Sequence, residues 1–251
     1  MTTSTLLLRL EGPMQAWGTH GAFWEQRPTM PRPTKSGVIG LAAAVLGRDY
    51  TDPISDLAAL TFSVRADRPG EPLSDFQTAG GGTFPTPNWM RPTLPESLRF
   101  SRETPYGAPR GLKRGTNGAS ANVGWDEKDR RAVMIYKSYL VDAAFMAALT
   151  GPQPLIEALY DAFHQPARAP FLGRLCCPPS EPIPFDCLDG DEQHHWAEFV
   201  PSLDPATHSP AVLTVWTEDT HGPIFYEQPG ATVRDWLPMH ITTRTVTPPK
   251  D

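Results

Sequence analysis

"RPTMPRPTKSGVIG", residues 27–40, admits two readings, and each commits the chain to a different fold. Read as a phosphate loop, it would open a nucleotide-binding α/β domain. A Walker loop needs the pattern Gly-x4-Gly-Lys-Ser/Thr, and with its lysine on Lys35 the two glycine positions hold Thr29 and Thr34. That reading fails. In the other, Thr34 or Ser36 caps a helix, and Val38, Leu41, Ala42 and Val45 recur at i, i+3, i+4 and i+7 until Gly47 stops it. Lys35 and the unpaired amides of the first turn still suit a phosphate held outside any nucleotide fold. Gly37 and Gly40 then lie inside the helix, where close packing on a sheet is their expected use.

N-terminal to this helix, Thr5 to Leu10 alternates as a strand that Gly12-Pro13 ends. Leu60 to Ala66 (LTFSVRA) reads as a second strand, and Ala132 to Phe145 (AVMIYKSYLVDAAF) contains a long third. Pro154 to His164 (PLIEALYDAFH) carries Leu155, Leu159 and Phe163 at helical spacing, closed by Pro166, and Phe171 to Cys176 (FLGRLC) reads as a fourth strand. The order β-α-β-β-α-β predicts an α+β, ferredoxin-like (RRM-like) antiparallel sheet with both helices on one face. Residues 1–180 are expected to form this domain, with a thumb-like insertion at about 75–131, too long for an ordinary connection. Residues 181–251, with strand-like 211–217 and 222–226, are expected to form a small β-rich C-terminal region.

Twenty-nine prolines and twenty glycines in 251 residues predict extensive loops around a globular core. No apolar run approaches the roughly 20 residues of a membrane helix, so a cytoplasmic protein without membrane contact is expected. The net charge is −6 but it is segregated. Residues 99–137 hold nine cations against four acids, whereas 181–240 hold eleven acids and one cation, Arg234. The basic stretch, rich in Gly, Pro and aromatics, has the chemistry of an arm that orders on an RNA backbone, and the acidic one would repel it.

No Gly-x-Ser-x-Gly elbow and no Gly-x-Gly-x-x-Gly occurs, which removes the common hydrolase and dinucleotide fingerprints. Cys176, Cys177 and Cys187 lack zinc spacing and are odd in number, as expected of ordinary thiols in a reducing compartment. Neither a metal nor a cofactor is expected. A metal-independent ribonuclease needs a base and an acid around a ribose hydroxyl; His20, Tyr136, Lys137 and Tyr139 are the residues such a site would draw on, and residues 79–131 contain no histidine.

Three stretches are more specific than any of these motifs: LRLEGPMQAWG at 8–18, RPTKSGVIGL at 32–41 and PFLGRLCCP at 170–178. In order and spacing they resemble the CasD family, the fifth-class RAMP subunit of the type I-E CRISPR surveillance complex Cascade, and Tyr139 to Ala143 resembles its central strand. The resemblance implies an RRM-like core with a protruding thumb. It also implies a non-catalytic subunit that caps the 5′ handle of the CRISPR RNA and contacts the adjacent backbone subunit. The large subunit is a further implied partner, and target DNA an indirect one. The alternatives are an endoribonuclease that processes precursor CRISPR RNA and a purely protein-binding adaptor.

On this reading Arg27, Arg32, Lys35 and Arg174 hold handle phosphates, with Ser36 at the helix start beside them. Met14 and Trp17 carry unstacked bases and Gln15 reads them by hydrogen bonds. Arg110, Lys113 and Arg114 of the arm, together with Lys137, follow the RNA backbone.

Overall fold

The structure is a computed structural model that describes residues 2–18, 26–49, 51–79, 82–85, 88, 91–93, 96, 103–106, 108–109, 130–131, 133–189, 196–204, 212–230 and 236–249. In chain order the strands and helices are β1 (Thr3–Gln15), β2 (Gln26–Arg27), α1 (Lys35–Val45), α2 (Ser55–Ala58), β3 (Thr61–Arg68), β4 (Glu71–Ala79), β5 (Gly82–Pro85), β6 (Glu103–Tyr106), β7 (Ala108–Pro109) and β8 (Arg130–Arg131). Then follow β9 (Val133–Pro152), α3 (Gln153–His164), β10 (Pro184–Asp189), α4 (Trp196–Phe199), β11 (Leu213–Pro229) and β12 (Trp236–Val246). The chain divides into two compact units, residues 1–22, 28–74 and 138–251, and residues 23–27 with 75–137.

The larger unit is a mostly antiparallel open sheet with few helices, in the order β10-β1-β9-β3-β11-β12. Alternation along β1 decides its layers. Leu6, Leu8 and Leu10 face one core with Val38, Ile39 and Val45 of α1 and Ile156 and Leu159 of α3. Leu7 points the other way, into a second core of Met146, Ala148, Trp196, Leu213 and Val215. Helix α1 begins where the capping pattern puts it: Thr34 Oγ1 accepts from the Gly37 amide at 3.2 Å.

Three expectations need correction. Strand β1 does not stop at Gly12-Pro13 but runs to Gln15, because the pairs on either side of Pro13, Gly12 with Ala143 and Met14 with Val141, stay in register. The third strand continues past Phe145 to Pro152, since AAFMAALT lies between β1 and β3 and is apolar on both faces. Residues 171–176 form a turn instead of a strand: Gly173 has φ +87°, and the Leu172 amide donates to the Cys177 carbonyl at 2.7 Å. The strand beside β1 is β10 instead. Within the tail, β11 pairs with β3 from Thr214–Ala66 to Thr217–Ser63 and so extends the same sheet.

Arg65, fully buried on β3, fastens the tail to this sheet. Its guanidinium bonds both Asp67 carboxylate oxygens and donates to the carbonyls of Ala197, Val200 and Pro201, so all five donors are used. In the smaller unit, β5 pairs with β6, β7 with β8, and β2 runs parallel to β9 at Tyr136–Lys137. Among the described residues no helix is long and apolar enough to cross a membrane.

Candidate nucleic-acid interface

The three signature stretches, far apart in sequence, line one groove of about 500 Å³ in the larger unit. The first contributes Ala16 and Gly18, the second Thr34, Ser36, Gly37 and Gly40, and the third Phe171 and Gly173. Along α1 the spacing of four puts Ser36, Gly40 and Ala44, all small, on one face of the wall, with Arg48 at its end. There Arg48 is paired with Asp56, and Arg168, which donates to the Arg48 carbonyl, is paired with Asp49.

Backbone contacts fix the opposite wall. The Ala16 amide donates to the Leu172 carbonyl at 3.1 Å, and at Gly173 a Cβ would lie 1.7 Å from the Ala16 oxygen. Leu172, fully buried, anchors the turn. Gly37 does pack closely, since a Cβ there would lie 2.8 Å from the Trp17 ring. Gly40 differs from expectation: a Cβ there meets nothing within 4 Å, because it faces the groove and not the sheet.

Several residues expected to touch RNA lie inside the fold. Trp17 and Gln15 are fully buried. Gln15 Nε2 donates to the Leu10 and Ala143 carbonyls, both at 2.8 Å, and its Oε1 accepts from Trp17 Nε1 at 3.0 Å. Met14 is half-buried and packs on the core. Trp17→Phe removes the indole donor and leaves the Gln15 oxygen unpaired in the interior. A loss of about 1–3 kcal/mol is expected, read as a lower urea midpoint at unchanged slope.

Arg32 and Lys35 are buried too, at 2% and 1% exposure, and each already has a carboxylate on β11. Arg32 grips Glu227 through two bonds, at 3.0 and 2.7 Å, and lies 5.2 Å from the Phe225 ring centroid. Lys35 Nζ donates to Glu218 at 2.8 Å; burial lowers its pKa, and the Glu218 bond and charge oppose that shift. Both positive charges are therefore neutralised internally, and neither ammonium nor guanidinium reaches a surface where a phosphate could sit. No sequence spacing announces these pairs, whose members stand 183 and 195 residues apart.

Ser36 does open onto the groove. Arg174, next to Gly173, donates to the Ser138 carbonyl at 3.1 Å with its guanidinium 4.8 Å from the Tyr139 ring centroid. The neighbouring Cys176 thiol is exposed and its pKa is lowered, chiefly by the Tyr139 hydrogen bond, whereas burial pushes Cys177 up to about 12. In the smaller unit, Arg27 is exposed and Lys137 Nζ donates to Gln77 at 2.8 Å. Arg110, Lys113, Arg114 and His20 lie outside the described residues. No group of His, Cys, Asp and Glu among the described residues could hold a metal ion.

A family model described as CRISPR-associated protein (Cas_Cas5) matches residues 5–246. The chain is 32% identical, over 186 residues, to the CRISPR system Cascade subunit CasD of Escherichia coli strain K12, covering 72% of this chain and 69% of that one. It resembles a Cas protein known from a crystal structure with a TM-score of 0.67, at 30% identity over 96% of this chain and 94% of the other. A chain of a CRISPR RNA-guided surveillance complex also gives 0.67, at 28% identity over 96% and 90%.

Proposed function

The chain belongs to the CRISPR-associated Cas5 family, and from that membership we propose that it is a non-catalytic subunit of a type I-E Cascade, capping the 5′ handle of the CRISPR RNA. One observation carries the proposal: three stretches scattered over 170 residues of sequence converge on one groove that no side chain among the described residues fills. Connections alone do not require such a meeting. It is the expected outcome if those residues serve a bound chain.

The division of labour differs from a simple cationic cradle. Arg32 and Lys35 hold the approach to α1 in place through Glu227 and Glu218. Phosphates fall to Arg174 beside the groove and to the cations of residues 75–137, including Lys137 and the arm's Arg110, Lys113 and Arg114. Strands β1, β3, β9 and β10 with α1 and α3 make up the ferredoxin-like core of this reading, and residues 75–131 its thumb. The thumb meets the adjacent backbone subunit, the acidic tail faces the large subunit, and the assembly works in the cytoplasm on target DNA that this chain touches only indirectly.

Titrating a handle RNA into the full chain over a salt series tests the proposal. Arg174→Ala should weaken binding and reduce the slope of log K against log salt by about 0.7, as loss of one single-strand phosphate contact requires. An unchanged slope, or cleavage of repeat RNA at one discrete position in EDTA, would refute the scaffold reading.

A further inference from the structure

In the smaller unit the chain exposes aromatic surface on a sheet face. Phe76 on β4 is 53% exposed and Tyr136 on β9 is 45% exposed, with ring centroids 5.0 Å apart and planes tilted by 42°. Met134, 53% exposed, lies two residues from Tyr136 and so on the same face. Strand β2 pairs with β9 from the other side, and Gln26, exposed, is the partner of Tyr136. A soft, flat surface thus crosses three strands, ending at an amide able to donate and accept.

Charge identifies the occupant. The smaller unit carries eleven cations against seven acids, while the rest of the chain carries eleven against twenty-one. Lys137 and Arg27, each one residue along from Tyr136 and Gln26, pair across the same two strands and place positive charge on the opposite face of the sheet. Bare aromatic rings within a locally positive unit of an acidic protein suit a ligand that is flat and apolar in its bases and anionic in its backbone. A hydrophobic protein partner would explain the rings but not the charge.

We infer that Phe76 and Tyr136 form a stacking platform for unpaired bases of single-stranded RNA, a second contact besides the groove, read by base shape instead of sequence. This rests on the RNA-binding reading above, and the stacking is assigned to these two rings alone.

The probe is a twelve-nucleotide oligoadenylate with 2-aminopurine at its centre, titrated into the full chain. The wild type should quench the fluorophore, and Tyr136→Phe should match it. Tyr136→Ala and Phe76→Ala should each lose the quenching and bind about tenfold more weakly with an unchanged salt slope, because no phosphate contact is removed. Both side chains are exposed, so circular dichroism should match the wild type. The inference is overturned if the alanine variants bind and quench as the wild type does, or if they keep RNA binding and lose only association with a Cascade subunit. A wild type that binds no RNA at all would remove the proposed function along with it, whereas an Arg174-dependent salt slope with indifferent aromatic variants would remove the platform only.

Discussion

Arg32→Ala is expected to destabilise the protein by about 3–5 kcal/mol while leaving the salt dependence of RNA binding unchanged. The substitution strands Glu227, 4% exposed, without the two bonds that compensate its charge, and a buried carboxylate without a partner is among the costliest defects a fold can carry. For a domain of this size the melting temperature should fall by about 10 °C. The double variant Arg32→Met with Glu227→Leu should recover most of the loss, because replacing both charges with apolar groups of similar volume is often close to neutral. If Arg32 gripped a phosphate, the outcome would invert: the melting temperature would hardly move, the slope against log salt would drop by about 0.7, and the double variant would bind RNA as poorly as the single one. Measuring stability and salt slope on the same three proteins separates the two roles.

The stretch around Arg32 shows what a sequence can and cannot disclose. Helix α1 was legible because its signal is local: a capping threonine, apolar residues at helical spacing and a terminal glycine. The role of its cations was not, because it depends on Glu218 and Glu227, which β11 brings alongside only after the tail has joined β3. The same physics explains the misplaced strands. Residues 143–149 of β9, buried on both faces, have lost the alternation that marks a half-exposed strand. FLGRLC resembles a strand in composition, yet one left-handed glycine turns it into the wall of a groove. Gln15 and Trp17 looked like base readers because polar and aromatic side chains serve both jobs, and the fold buries both and bonds them to each other. The groove itself was half legible: its residues stood out as family-like stretches, but nothing in their spacing said that they meet.

Gly173→Ala is expected to be the most damaging single methyl group along the groove. The position combines two penalties. Its φ of +87° lies where L-residues are rarely found, and the new Cβ would stand 1.7 Å from a backbone oxygen, that of Ala16, which cannot rotate away as a side chain would. The turn must therefore withdraw, breaking the Ala16–Leu172 hydrogen bond and moving both Phe171 and Arg174. Strain and lost packing together should lower stability by about 3–5 kcal/mol, and handle-RNA affinity should fall further than in Arg174→Ala because wall and cation move at once. Gly40→Ala, across the same groove, is the control. Its Cβ meets nothing within 4 Å and its backbone is helical, so the substitution should stabilise the protein by about 0.5–1 kcal/mol. Opposite shifts in the urea midpoints of these two variants would establish that one wall of the groove is held by backbone contact and that the other is open; equal shifts would refute the geometry on which the binding surface rests.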